Sequence, residues 1–238
     1  NPMARLSNLF SLSKCIEIVQ AYAPYYLQGI VYTVLLSILA IIVGFVFALL
    51  LTLMRRSRIA PLRYISIAYV EVIRGTPILV QLMLIYYGLC TLFPVPSVTL
   101  FGFIDTAMFI PGAVSVACNS AAYVSEIIRA GIQAVDKGQT EAARSLGLSA
   151  AQNMRFIILP QAVRNILPAL GNELVTIIKE SSVCMVIGIP ELMYNANIAK
   201  GATFRVMESI VPAAVLYFLI TFTLSKLLMM CERRMRHE

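Results

Sequence analysis

Glu173 and Glu180 stand seven residues apart in an otherwise apolar stretch, so on a helix they share a face; Asn172 and Lys179 share the adjacent one. Ionisable groups inside a hydrophobic segment are costly, and they mark a water path, a partner or a compensating pair. A zwitterion crossing such a segment needs an acceptor for its ammonium and a donor for its carboxylate. Glu173 is the candidate acceptor, with Asn172 beside it as a neutral donor or acceptor. Lys179 and Glu180 either line the same polar pathway or pair with each other or with a second subunit. Arg74 follows Glu71 by three positions, which permits a structural ion pair or a place in the pathway. Gly75-Thr76-Pro77 then loosens the helix, because Pro77 removes a backbone donor. Glu126 and Arg129 repeat the three-residue spacing, and a structural pair is the expectation there.

Enzymatic chemistry finds no support. The one histidine, His237, is the penultimate residue, and the five cysteines (15, 90, 118, 184 and 231) include no C-x-x-C pair. They read as small buried hydrophobes rather than disulfides or metal ligands. No G-x4-G-K-[ST] phosphate loop occurs, so any ATP, with its Mg, must be bound by another subunit. The chain itself is expected to hold no cofactor and no metal.

The elements that must position these residues are set by composition. Of 238 residues, 59% are hydrophobic and 13% charged, about half the usual charged share, so a membrane protein is expected. Apolar stretches at about 27–54, 64–92, 107–130, 165–187 and 208–230 predict an all-α polytopic fold with five spans. Arg55, Arg56, Arg58, Arg63, Lys137, Arg144, Arg155, Arg164, Arg233, Arg234 and Arg236 all fall on one side of that arrangement. Arg5, Lys14, Lys200 and Arg205 fall on the other. The positive-inside rule therefore predicts the N-terminus outside and the C-terminus in the cytoplasm. The net charge of +7 is spent on this topology, which argues against nucleic acid as a partner.

Residues 1–26 read as an N-terminal interfacial segment and 27–238 as a single transmembrane domain. Residues 4–24 lack the ordered basic head, apolar run and cleavage site of a signal peptide. Ala40, Gly44 and Ala48 make a smooth stripe on the first span, expected to be an intramolecular contact, with a dimer interface as the alternative.

The long loop at 137–162 reads as two short helices. Thr140 is the expected N-cap of the first, with Glu141 in its first turn and Gly147 at its end. Ser149 to Gln152 forms a capping box for the second, and Pro160 ends that helix or bends it into the next span.

Written out, the loop is Glu141-Ala142-Ala143, three residues, Gly147, nine residues, then Ile157, Leu159 and Pro160. It resembles the EAA loop of ABC importer permeases, E-A-A-x3-G-x9-I-x-L-P, at every fixed position. Glu71 to Pro77 with Gln81 and Tyr86-Tyr87-Gly88, Ser120 to Arg129, and Leu159 to Glu173 are similar to the polar amino acid branch of that family. That branch includes histidine, glutamine, glutamate, arginine and cystine systems.

The resemblance implies a type I importer permease whose coupling loop docks on a separate ATPase through Glu141, Ala142, Ala143 and Gly147. It also implies ATPase subunits, a second permease copy or homologue, and an extracytoplasmic amino-acid-binding protein as partners, in a bacterial inner membrane. An ion-coupled secondary transporter of a small polar solute is the alternative. The internal repeats common in that class are absent.

Overall fold

The computed structural model describes residues 10–237, with side chains to residue 233. Arg5 lies outside the described residues, as do the side chains of Arg234, Arg236 and His237. Helix α1 (Leu12–Ala21) precedes the long α2 (Ala23–Arg55), whose apolar run carries no charge until Arg55. Helices α3 (Ala60–Gly75) and α4 (Ile78–Leu92) follow, then a small antiparallel pair, β1 (Thr99–Leu100) with β2 (Ile104–Asp105). Helix α5 (Thr106–Gln133) leads into the loop helices α6 (Lys137–Ser145) and α7 (Ala150–Asn153). A π-helical turn (Met154–Ile158) joins α7 to α8 (Leu159–Glu180), and a 3-10 turn (Ser181–Ile187) follows. Helices α9 (Leu192–Thr203) and α10 (Val206–His237) complete the fold. The all-α expectation holds apart from the two-residue strands.

Among the described residues, α2, α5 and α10 are long and apolar enough to cross a membrane, and the bent pair α3–α4 makes up to four. The stretch expected at 165–187 is helical, as α8 and its 3-10 turn, but is not among them. Arg164, Asn165, Asn172, Glu173 and Lys179 dilute its apolar character.

The second expected span is two helices meeting at 120°. Thr76, held extended by the following proline (φ −121°, ψ 150°), cannot continue α3. Gln81 satisfies the carbonyls released at the break: its Nε2 donates to Ile73 O at 2.6 Å and to Thr76 O at 2.8 Å. Its Oε1 accepts from Asn119 Nδ2 at 2.7 Å, which ties the elbow to α5.

Helices α2 and α5 pack most intimately. Ala40, Gly44 and Ala48 are all buried on this chain's own α5, as an intramolecular contact requires. A Cβ on Gly44 would stand 3.1 Å from the Ala117 carbonyl oxygen. In lipid, such close approach is itself the source of attraction, since no hydrophobic force separates helices from acyl chains. Leu36, Ala40, Val116 and Ala117 continue the contact into Ile177 and Cys184. Of the thiols expected to be buried, Cys15 and Cys184 are, Cys90 and Cys118 are partly so, and Cys231 is exposed on α10.

The N-terminal segment packs through Ile18 of α1 and Tyr26 at the start of α2, against Leu192, Ala196 and Ala213. Tyr26 donates to Ser209 O at 2.7 Å.

Candidate functional site

The candidates of the 137–162 loop lie on a pair of short helices. Helix α6 begins at Lys137, because Asp136 caps it by accepting from Gly138 N at 2.7 Å. Thr140 is therefore inside the helix rather than its N-cap, and Glu141 sits beyond the first turn. Asp is the stronger capping residue, and the intervening Lys-Gly-Gln offers nothing that halts a helix.

The end of α6 matches expectation. Gly147 has φ +77°, Leu148 N donates to Ala143 O at 3.0 Å, and Gly147 N donates to Arg144 O at 2.9 Å. This is a Schellman closure, in which glycine takes the left-handed position without a Cβ penalty. The Ser149–Gln152 capping box is also formed, with Gln152 N donating to Ser149 Oγ at 3.3 Å and Ser149 N to Gln152 Oε1 at 2.9 Å.

The side-chain directions differ from the expected set. Glu141, Ala142 and Gly147 are exposed, but Ala143 is only 3% exposed. Its methyl is turned into this chain, on a helix that packs against the π-helical turn. Leu146, one residue before the turn, is instead 82% exposed. An apolar tip at a helix end was the missed signal: Leu146 is the only large apolar residue between Val135 and Leu148.

Below the tip, Ala48, Val124, Ile128, Ile158, Ala162 and Ile166 form one apolar cluster. It fixes the loop's base to α2 and α5. Helix α7, the π-helical turn and α8 follow one another without a gap, so Pro160 lies inside helical chain; its missing N–H removes one ladder bond to the π-helical turn before it. Pro160 thus does not end the segment. From Ser149 to Glu173 this rod spans roughly 35 Å at 1.5 Å per residue.

Along α8, Asn172 and Lys179 are exposed while Glu173 and Glu180 are partly buried. Lys179 reaches a cavity of about 520 Å³ that it shares with Leu79, Ser182, Met193 and Tyr217. Glu173, Asn172, Glu180 and Arg74 are not among that cavity's lining, so one chain does not bring all the pathway candidates together. Neither the Lys179–Glu180 pair nor the Glu71–Arg74 pair forms among the described residues. Arg74 lies over the Tyr123 ring instead, 5.9 Å from its centroid. The Glu126–Arg129 pair does form, at 2.6 Å, and Glu126 also accepts from Arg55 at the end of α2.

Sequence reasoning missed Glu191 entirely. It is fully buried and caps α9, accepting from Met193 N at 2.9 Å and Tyr194 N at 2.7 Å, and from the Tyr217 hydroxyl of α10. Glutamate is not a favoured N-cap, so only the preceding Gly188 and Pro190 signalled a helix start.

Residues 40–237 match the family described as binding-protein-dependent transport system inner membrane component. The arginine transport system permease protein ArtQ of Bacillus subtilis (strain 168) is 39% identical over 213 residues, which are 90% of this chain and 93% of that protein. Among solved structures, an amino acid ABC transporter crystallised with histidines superposes with a TM-score of 0.81 at 47% identity. That superposition covers 91% of this chain and 96% of that one. An inward-facing form of the MetNI methionine ABC transporter superposes at 0.62 with 19% identity, over 85% and 94% of the two chains, a likeness of fold alone.

Proposed function

This chain belongs to the family of binding-protein-dependent transport system inner membrane components, and we propose that it is the permease of an ATP-binding-cassette importer for a polar amino acid. It is a multi-pass membrane protein and a transport component rather than an enzyme. The observation that carries the reading is the projecting loop, whose tip offers Glu141, Ala142, Leu146 and Gly147 to solvent while its base is locked into the spans. An ATPase subunit, binding ATP and Mg itself, seats on that tip. The continuous rod through α7 and α8 carries its closure to Glu173.

The substrate class rests on α8 and on the relatives, one named for arginine and one crystallised with histidines. Glu173 takes the ammonium of the amino acid, Asn172 lies beside it, and Arg74, Lys179 and Glu180 complete the polar path. Asn172, Lys179 and Arg74 all point away from this chain's core. Polar groups left against lipid are costly, so a second permease, either a copy or a homologue, closes the pathway over them. An extracytoplasmic binding protein delivers the amino acid.

The test is uptake of a labelled basic or amidic amino acid into vesicles holding the permease with its ATPase. Glu173→Gln removes one charge-assisted hydrogen bond, about 1.5–3 kcal/mol, so uptake falls at least about tenfold. Unchanged uptake would mean that the ammonium is held elsewhere. Uptake driven by an ion gradient with the ATPase omitted would point instead to secondary transport.

A further inference from the structure

Where α2 ends, a cavity of about 270 Å³ opens between α2, α3 and α5, at the same end of the bundle as the loop base. Arg55, Arg56 and Arg129 line it, with Leu51 and Ile132 as apolar walls. Glu126 draws two of these cations together, accepting from Arg55 and, at 2.6 and 2.8 Å, from Arg129. Three guanidiniums against one carboxylate leave two positive charges in the cleft.

The donors are also unspent. A guanidinium has five N–H groups. Arg55 commits one to Glu126, and Arg129 commits two to Glu126 and one to Gln133. Arg56 has no recorded partner among the described residues. Planar forks of this kind match phosphate oxygens in geometry as well as in charge.

Position narrows the source of the phosphate. Leu50 and Leu53 of α2 and Ile65 of α3 are 54%, 67% and 57% exposed, an apolar surface beside the cleft. A soluble anion gains nothing from that surface, whereas acyl chains lie naturally along it. We infer that this cleft binds the phosphodiester of an anionic phospholipid, its headgroup on Arg56 and Arg55 and its chains on Leu50 and Leu53. The depth is right, since a basic pocket where spans end meets the headgroup layer.

Native mass spectrometry of the purified transporter with phosphatidylglycerol and phosphatidylcholine tests this. Phosphatidylglycerol should be retained preferentially, and Arg56→Gln should lower its occupancy about fivefold, the worth of one cation at a charged surface. Phosphatidylcholine retention should not move. Arg56→Lys keeps the charge and should keep most of the binding. Arg63→Gln removes a nearby cation outside the cleft, one that lies over Tyr64, and should change nothing. Equal losses from Arg56→Gln and Arg63→Gln would mean diffuse surface attraction and overturn the site. Displacement of phosphatidylglycerol by millimolar inorganic phosphate would make it a site for free anions and overturn the lipid assignment.

Discussion

Changing Leu146 to Asp is expected to cut ATP-driven uptake at least about tenfold while the permease still folds and inserts. The side chain is 82% exposed, so it contributes little to this chain's own stability. Exposed substitutions of this kind stay within about 0.5 kcal/mol. On an ATPase surface the same leucine would be buried, a gain of about 1.5–3 kcal/mol, with every 1.4 kcal/mol worth a factor of ten. A carboxylate there also brings an uncompensated charge into the contact. Uptake and thermal unfolding of the reconstituted complex should therefore separate: the first collapses and the second barely moves. A parallel fall in both would place Leu146 in the fold rather than in the contact.

Gln81→Leu is expected to do the reverse, destabilising the protein by about 2–6 kcal/mol. The amide side chain closes the 120° elbow between α3 and α4 by serving Ile73, Thr76 and Asn119 at once. A leucine of similar size leaves the buried Ile73 carbonyl and the Asn119 amide without partners, at about 1–3 kcal/mol for each group. Water cannot repair the loss in the apolar interior, because an unsatisfied backbone group in hydrocarbon costs more than one at a surface. Detergent-solubilised variant should unfold well below the parent temperature. Adding Asn119→Leu should recover part of the loss, since it removes the orphaned donor. No change in unfolding temperature would mean that the elbow is held by α5 packing alone.

How far the sequence is legible depends on the range of each interaction. The Gly147 turn and the Ser149–Gln152 box are local, built from residues no more than five apart, and both are present as expected. The start of α6 was less determinate, since Asp136 and Thr140 are both capping residues and only the competition between them decides. Ala143 faces inward because α6 lies on the π-helical turn, a contact no heptad or capping rule supplies. Pro77 announces a break, but the Gln81 clasp that closes it is tied to Asn119, 38 residues beyond Gln81.

Charge pairing shows the same limit. Glu71 and Arg74 have the right spacing, yet Arg74 is taken by Tyr123 on α5. Glu126 forms the expected pair with Arg129, but its second partner, Arg55, is 71 residues away. Glu191 was invisible for a related reason: its burial arises from α9 and α10 closing around it.

The most direct test of the account places a photo-activatable benzoylphenylalanine at position 146 of the assembled transporter. Illumination should give one dominant adduct, joining this chain to the ATPase subunit, in a complex that otherwise remains intact. Adducts confined to lipid or to the permease itself, from a complex that still transports, would contradict a coupling loop whose tip docks on the ATPase.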